Sequence, residues 1–180
     1  GLYLSENERN FLYRLSAAGE PYSSFTVDRL MDTLEDWLLP YLSGITTAKE
    51  WKSFDKSLAL RGILNYRETQ ILNQKVPETF MTPLGRKIPI RYGGEQPEIS
   101  LKLQEMLGQK SHPVAGDKPL VVTLLSPAGK PLQRTTDIPG FWKSSYSDVR
   151  KDMRGRYPKH QWPDNPEEAL PTSKKNSDSI

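Results

Sequence analysis

Positively charged side chains are concentrated in one part of the sequence, residues 130–160. This stretch holds eight Lys or Arg residues against three Asp, a net charge of +5, whereas the whole chain carries only +3. Residues 1–129 are balanced, with fifteen residues of each sign. Segregated charge creates a local potential that a small average hides. Because guanidinium groups form bidentate contacts with phosphates, this stretch is the first candidate for binding a polyanion.

Aromatic residues lie among these basic residues and could supply a second kind of contact. Unstacked bases of a single strand bind against flat aromatic rings. Two such rings stand in the proline-containing segment "MRGRYPKHQWP", residues 153–163. We therefore predict a nucleic-acid contact surface, with the candidate residues Lys143, Arg150, Lys151, Arg154, Arg156, Tyr157, Lys159 and Trp162.

The same segment also allows a structural interpretation. Its two prolines prevent it from being helical, so it could lie as an extended belt across the protein's own surface. In that case Arg156 pairs with a carboxylate, the aromatic residues belong to the core and the basic residues form a solvated rim. Bare counting favours the core role for the aromatic residues, and it leaves the two roles of the basic residues about even.

Motifs for catalysis or metal binding are absent from the sequence. A phosphate-binding loop requires glycines and a Lys-Ser/Thr pair before a helix, whereas Gly129-Lys130 is followed by proline. The two histidines, His112 and His160, are far apart, without a carboxylate at metal-ligand spacing, and the chain has no cysteine. We therefore predict no catalytic residue, no metal site, no cofactor and no enzymatic activity for this chain.

Helical patterns fill the first part of the sequence. "SENE" (residues 5–8) and "TAKE" (residues 47–50) are capping boxes, and Gly19 is expected to end the first helix. Between residues 27 and 41, apolar residues recur at the spacing of one buried helical face, and Pro40 is expected to end that helix. The predicted buried face comprises Val27, Leu30, Met31, Leu34, Trp37, Leu38 and Tyr41.

Strand patterns begin at about residue 77. Residues 79–92 contain two short β-like runs around a Pro-Leu-Gly turn, and residues 98–103 alternate in polarity. "LVVTLL", residues 120–125, is apolar on both faces and predicts a central strand. "LQRTT", residues 132–136, is expected to return as a further strand.

A last helix is predicted from Asp137, an N-cap residue, to Gly155. It would carry two stripes offset by one residue, which is about 100° of rotation. The helix would therefore bury an apolar stripe and present a basic stripe beside it. The apolar stripe is Trp142, Tyr146, Val149 and Met153, and the basic stripe is Lys143, Arg150 and Arg154.

These patterns predict an α+β protein. A helical N-terminal third precedes a mostly antiparallel sheet of about five short strands, which could be barrel-like, and the chain closes with one helix and an extended arm. We expect a helical segment over residues 1–74, a β-rich domain over 75–163 and a flexible tail over 164–180. No apolar run approaches the roughly 20 residues of a membrane helix, so a cytoplasmic protein is expected. Because the chain begins at Gly1 without methionine, we expect it to be a piece of a longer protein.

Four strings resemble one known family. "SLKLQEMLG" (100–108), "LLSPAGKPLQ" (124–133) and "TDIPGFWKSSYSDVRKDMRGRYPKHQWPDNP" (136–166) are similar to the C-terminal region of the HrpB family of bacterial ATP-dependent RNA helicases, of DExH type. "LEDWLLPYLSG" (34–44) resembles the segment just upstream of that region. Two residues depart from the family pattern: Lys130 stands where arginine is usual, and Pro139 where a small residue is more common.

The resemblance implies a role within a larger helicase. In such helicases two RecA-like motor domains bind ATP and Mg²⁺ and carry the Walker-type loop and the DExH box, and neither motif is in this sequence. The chain would then be an accessory C-terminal domain whose partners are nucleic acid, RNA rather than DNA, and the motor domains of the same parent chain. The alternative is a structural or protein-interaction domain that braces the helicase core or recruits a partner. Related helicases often carry an OB-like domain, which is the ground for expecting a barrel.

Overall fold

The structure, a computed structural model, describes residues 2–173. Over this range the chain divides after Pro77 into two compact units. The first unit holds six short α-helices, and the second holds seven short strands and then two helices. The predicted α+β class, with helices first and sheets later, is confirmed. None of the helices within residues 2–173 combines the length and the apolar composition that a membrane span requires.

The first unit is built from helices whose starts are fixed by local capping. Ser5 Oγ accepts a hydrogen bond from the Glu8 N–H, and the Glu8 carboxylate accepts one from the Ser5 N–H. Thr47 and Glu50 form the same capping box; both predicted boxes are confirmed. The helices are α1 (Glu6–Ala18), α2 (Val27–Asp32), α3 (Leu34–Trp37), α4 (Ala48–Ser53), α5 (Ser57–Arg61) and α6 (Tyr66–Lys75).

The prediction of one continuous helix over residues 27–41 is wrong. Helix α2 ends at Asp32, the hydroxyl of the capping residue Thr33 donates to the Arg29 carbonyl oxygen, and α3 begins at Leu34. A 3₁₀ turn over Leu39–Tyr41 then contains Pro40. Only part of the predicted face is buried: Leu30, Trp37 and Leu38 are buried, whereas Val27, Met31 and Tyr41 are exposed.

A buried ion pair joins α1 to the residue that precedes α5. Lys56 Nζ lies 3.8 Å from Glu8 Oε1, and both side chains are at most 2% exposed. The same ammonium donates to the Phe54 carbonyl oxygen at 3.1 Å and lies 5.0 Å from the Trp51 ring centroid. Removing either partner would leave a buried charge without an ion-pair partner, which is strongly destabilising. The pair therefore fixes how these two parts of the first unit pack.

The second unit contains three small sheets. Its strands are β1 (Thr79–Met81), β2 (Lys87–Pro89), β3 (Glu98–Lys102), β4 (Val114–Ala115), β5 (Lys118–Pro119), β6 (Val121–Leu125) and β7 (Pro131–Thr135). Strands β1 and β2 form one antiparallel hairpin, and β4 and β5 form another. The third sheet has the order β3–β6–β7, so β6 is central, as its apolar sequence predicts.

Most strand pairs are antiparallel, as predicted, but the expectation of one sheet of about five strands, which could be barrel-like, is wrong. Strand β3 pairs with β6 in parallel, and no barrel closes among the described strands. The physical reason is the path of the chain after β3, where it enters a 3₁₀ turn at Leu103–Met106 instead of a hairpin. It returns through β4 and β5 and therefore enters β6 in the same direction as β3.

A bidentate ion pair holds the β1–β2 hairpin against the 3₁₀ turn. Arg86 Nε and one of its terminal nitrogens donate to the two carboxylate oxygens of Glu105, each at 2.7 Å. The Glu105 side chain is buried, and its hydrogen bond with Arg86 raises the pKa of the guanidinium. Because a carboxylate in this position requires a partner, the arginine fixes the hairpin in place.

After β7 the chain forms two helices, not the single helix that the sequence predicts. Helix α7 (Ile138–Lys143) begins at Asp137, whose carboxylate accepts from the Gly140 N–H at 3.0 Å, so the predicted cap is confirmed. A Cβ atom on Gly140 would overlap the Asp137 carboxylate, so a larger residue there would displace the capping group. Ser144 leaves helical geometry at φ −122° and ψ −90°, and α8 then runs over Tyr146–Arg156.

Candidate nucleic-acid interface

Helix α8 exposes charges of opposite sign on different parts of its surface. With about 100° per residue, Lys151 and Arg154 lie about 60° apart, and Asp148 and Asp152 lie about 40° apart on the neighbouring part of the exposed face. All four side chains are exposed. We call Lys151 and Arg154 the basic edge and the two aspartates the acidic row. The exposed surface of α8 is therefore not uniformly basic.

The predicted basic stripe of Lys143, Arg150 and Arg154 does not lie on one helix. Lys143 is the last residue of α7 and is exposed, whereas the other two belong to α8. The turn at Ser144 interrupts the register that would have aligned them. Within residues 2–173, Lys143 and the basic edge form no ion pair, so their charges face solvent without a neutralising partner.

Arg150 contacts the protein itself. Its side chain is only 21% exposed, and one of its terminal nitrogens lies 2.7 Å from the Asp164 carboxylate. Its Nε donates to the Trp162 carbonyl oxygen at 2.6 Å. Two of the guanidinium's donor groups are thus engaged with the segment that comes after α8. Arg150 holds this segment and is not an exposed cation.

The extended segment after α8, residues 157–163, is the arm. Trp162 is 5% exposed, and its Nε1 donates to the Tyr157 carbonyl oxygen at 2.9 Å. The Tyr146 hydroxyl donates to the Pro163 carbonyl oxygen at 2.6 Å, and the Gln104 amide donates to the Gln161 carbonyl oxygen at 3.0 Å. The arm is therefore fastened along its length, and the Trp162 ring is not available to stack on a base.

Burial of Tyr146 has an electrostatic consequence. Loss of solvent around the phenol raises the pKa of Tyr146 to about 12, although the nearby positive charge of Arg150 opposes the rise. The phenol remains a hydrogen-bond donor to Pro163 at neutral pH. Its ring also packs edge-on against Phe141 and Trp142, with centroid distances of 6.0 and 5.3 Å. These contacts support α8 from its buried side.

The remaining predicted residues lie near the end of α8 and in the arm. Arg156 is exposed, with Nε 3.7 Å from the carboxylate of Asp152 one turn earlier. Tyr157 is half-buried, and its ring centroid lies 6.0 Å from the His160 ring. Lys159 is exposed. Of the eight predicted residues, five are therefore exposed cations, two are half-buried and one is buried.

Residues after the arm also form hydrogen bonds with the second unit. The Gly108 N–H donates to the Pro166 carbonyl oxygen at 2.8 Å, and the Thr172 N–H donates to the Gln104 carbonyl oxygen at 3.0 Å. Gly108 has φ +84°, and a Cβ there would lie 2.7 Å from the Ala169 carbonyl oxygen. A flexible tail was expected over residues 164–180; its last part, 174–180, lies outside the described residues, and 164–173 makes these contacts with the domain.

Sequence reasoning missed the residues that fasten the arm. Gln104 and Tyr146 carried no sign of this role, because their partners are backbone carbonyl groups 57 and 17 residues away.

No group of three metal-ligating side chains occurs among residues 2–173. The chemistry that the described surface offers is thus attraction of anions by exposed cations on a braced helix.

Three comparisons with known proteins agree with one another. Residues 37–166 match the family model described as ATP-dependent helicase C-terminal. The chain is 43% identical over 148 residues to the ATP-dependent RNA helicase HrpB of Escherichia coli strain K12, covering 81% of this chain and 18% of that protein.

Two solved structures are similar to the chain. The E. coli DExH-box NTPase HrpB gives a TM-score of 0.80 at 38% identity, covering 94% of this chain and 22% of that one. The E. coli DEAH/RHA helicase HrpB gives a TM-score of 0.68 at 36% identity, covering 89% of this chain and 21% of that one. The chain thus spans about a fifth of the length of the proteins that it matches.

Proposed function

The chain belongs to the ATP-dependent helicase C-terminal family, and from that premise we propose that it is an accessory domain whose exposed cations contact nucleic acid. The parent protein would be an ATP-dependent RNA helicase that binds ATP and Mg²⁺ in motor domains outside this chain. The partners of the domain would be RNA, in preference to DNA, and those motor domains. This chain would contribute binding and no catalytic residue.

The observation that supports nucleic-acid contact is the basic edge. Lys151 and Arg154 are exposed on adjacent turns of α8 and have no ion-pair partner within the described residues. A guanidinium fork matches phosphate geometry, and an ammonium adds a point charge. Lys143 and Lys159 are exposed on either side of α8 along the chain. These four cations replace the eight-residue set as the proposed contact.

The structural alternative accounts for two of the four residues that leave this set. Arg150 and Trp162 bind the arm to α8 through the hydrogen bond between Nε and the carbonyl oxygen. The arm therefore braces the helix within the domain itself. We propose that the brace serves the contact, because a helix that is held by the arm presents its exposed residues in a fixed geometry. Recruitment of a protein partner is the remaining alternative.

The test is a binding comparison between two charge-reversal variants. Lys151→Glu/Arg154→Glu reverses the basic edge, and Lys102→Glu/Lys118→Glu reverses two exposed lysines elsewhere in the same unit. Both change the net charge by the same amount. Fluorescence anisotropy with a labelled single-stranded RNA at low salt should show a loss of about tenfold or more for the first variant, because two phosphate contacts become repulsive.

The control variant should bind within about twofold to threefold of the unaltered chain, since only the general field changes. Equal losses in both variants would mean that net charge, and not the basic edge, attracts the RNA. Absence of binding by the unaltered chain at low salt would contradict the proposal and favour the protein-interaction alternative. Circular dichroism of each variant establishes that it is folded.

A further inference from the structure

An open groove of about 450 Å³ lies between α8 and the turn that joins β6 to β7. Its apolar lining comes from both elements: Leu132 at the start of β7, Val149 and Met153 on α8, and Tyr157 just after α8. Sites for small ligands are concave, mainly apolar and about 300–1,000 Å³ in volume. The groove therefore has the volume of a small-ligand site, with apolar residues on both of its sides.

Charged side chains of both signs line the groove as well. Asp148, Asp152 and Arg156 are spaced four residues apart and form one row along α8, about 12 Å long. Lys130 reaches the groove from the β6–β7 turn. Arg156 lies near Asp152, whereas Asp148 and Lys130 form no ion pair within residues 2–173. One carboxylate and one ammonium are thus available to a ligand.

We propose that this groove takes one unstacked ribonucleotide of the bound strand, an inference that rests on the proposed function. The base lies on the apolar lining formed by Val149 and Met153. Lys130 and Arg156 contact the phosphates on either side of the nucleotide. Asp148 accepts a hydrogen bond from the ribose 2′-hydroxyl, the group by which proteins distinguish RNA from DNA.

The mixed charge restricts how a strand can enter. A carboxylate repels phosphates but accepts hydrogen bonds from hydroxyl groups, so the sugar and not the phosphate must face Asp148. A uniformly basic groove would bind RNA and DNA alike through their backbones. The presence of Asp148, Lys130 and an apolar surface in one groove instead provides a different contact for each part of a ribonucleotide.

The groove also lies beside the proposed contact surface. The basic edge and the groove are on the same helix, separated by the width of the acidic row. A strand held by Lys151 and Arg154 therefore passes within about one helix diameter, about 10 Å, of the groove. A protein segment could also cover an apolar lining, but the continuity with the basic edge favours the strand already bound there.

The first experiment compares two labelled homopolymers that differ only in the 2′-hydroxyl, oligouridylate and oligodeoxyuridylate. The unaltered chain should bind the RNA about tenfold more tightly, the effect of one hydrogen bond to a charged acceptor. Asp148→Asn should reduce this ratio to about threefold or less. Asp117→Asn, at an exposed aspartate outside the groove, should leave the ratio unchanged.

The ratio is the informative quantity. Removing a negative charge raises the affinity for both polymers through the general field, and this effect cancels when the two affinities are divided. An RNA-to-DNA ratio that is the same in Asp148→Asn and in the unaltered chain would overturn the proposal. So would equal binding of RNA and DNA by the unaltered chain.

The second experiment locates the strand on the unaltered chain and needs a variant only to assign one signal. The sequence has four methionines, so labelling their methyl groups with ¹³C gives four NMR signals, with Met153→Leu as the assignment standard. Adding oligouridylate should shift the Met153 signal. The signals of Met31, Met81 and Met106, which do not line the groove, should remain in place.

The outcomes separate this inference from the proposed function. If binding depends on the basic edge but the Met153 signal does not shift, the ribonucleotide site in the groove is wrong and the proposed function stands. A protein segment would then be the remaining candidate for the groove. Failure of the unaltered chain to bind either polymer overturns both. A Met153 shift with the loss of RNA preference in Asp148→Asn supports the ribonucleotide site.

Discussion

The Nε group of Arg150 donates a hydrogen bond to the carbonyl oxygen of Trp162 at 2.6 Å, and this bond fixes the arm to helix α8. The same guanidinium forms an ion pair with the carboxylate of Asp164, the residue directly after the arm. A residue at the centre of the most basic stretch is thus occupied in holding the fold. The exposed cations around it, and not Arg150, are positioned to meet an anion.

Replacing Arg150 with methionine should destabilise the second unit. The substitution keeps much of the side-chain volume but removes a charged donor from the Trp162 carbonyl group. We expect the free energy of unfolding to fall by about 1–2 kcal/mol, the usual contribution of a hydrogen bond to a charged group. Urea denaturation monitored by circular dichroism measures the change.

Asp164→Asn is the matched control for that variant. It removes only the exposed end of the Arg150 contact, and exposed ion pairs contribute about 0–1 kcal/mol. Its free energy of unfolding should therefore remain within about 0.5 kcal/mol of the unaltered chain. If Arg150→Met were as stable as the unaltered chain, the hydrogen bond would not fasten the arm.

Trp162 should matter for stability and not for RNA affinity. Its ring is buried and its Nε1 donates to the Tyr157 carbonyl oxygen. Trp162→Phe removes that donor and some buried volume, so the free energy of unfolding should fall by about 1–3 kcal/mol. The affinity for single-stranded RNA, measured by anisotropy under native conditions, should change by less than about twofold. A marked loss of affinity in a variant of unchanged stability would instead place the ring against a base.

Because the Tyr146 phenol is buried, we expect the free energy of unfolding to fall at high pH. Burial raises the pKa of its phenol to about 12, whereas an unfolded tyrosine titrates near about 10. The folded state therefore binds this proton more tightly than the unfolded state does. Its contribution to stability is complete below about pH 10 and is lost as the pH rises towards about 12.

Tyr146→Phe isolates that contribution from the other tyrosines. The variant lacks the hydrogen bond to Pro163 and should be less stable than the unaltered chain at about pH 9. The difference between the two proteins should shrink between about pH 10 and about pH 12, because only the unaltered chain loses the phenol proton. A difference that stays constant across this range would contradict the assignment.

Features with a local cause could be predicted from the sequence. The capping boxes at Ser5 and Thr47 depend on residues three positions apart, and both are present. The central position of β6 results from its apolar residues on both faces. The apolar stripe of the last helices was also foreseen in part, since Trp142, Tyr146 and Met153 are buried. In each case the signal and its effect lie within a few residues of each other.

Features with a long-range cause could not be predicted in this way. The parallel pairing of β3 with β6 depends on the path of the chain between them. The breaks at Thr33 and Ser144 interrupt apolar patterns that continue in the sequence, because tertiary packing outweighs periodicity. The arm depends on bonds to backbone carbonyl groups, which side-chain patterns do not reveal.

The sequence predicted which stretch holds exposed cations, but not which of its basic residues are exposed. Counting charges identified a part of the chain that holds exposed cations, but it did not show which way each side chain points. Arg150 lies beside the buried stripe and turns towards the arm, and two aspartates share the exposed face of α8. Geometry, and not composition, separates the exposed cations from the bracing one.

The salt dependence of RNA binding tests the central claim most directly. If four cations contact phosphates of a single strand, the logarithm of the affinity should fall with the logarithm of the salt concentration at a slope of about −3. In Lys151→Glu/Arg154→Glu the slope should flatten by about 1.4, the share of two contacts. A slope near zero, or no binding at low salt, would contradict a nucleic-acid role for this domain.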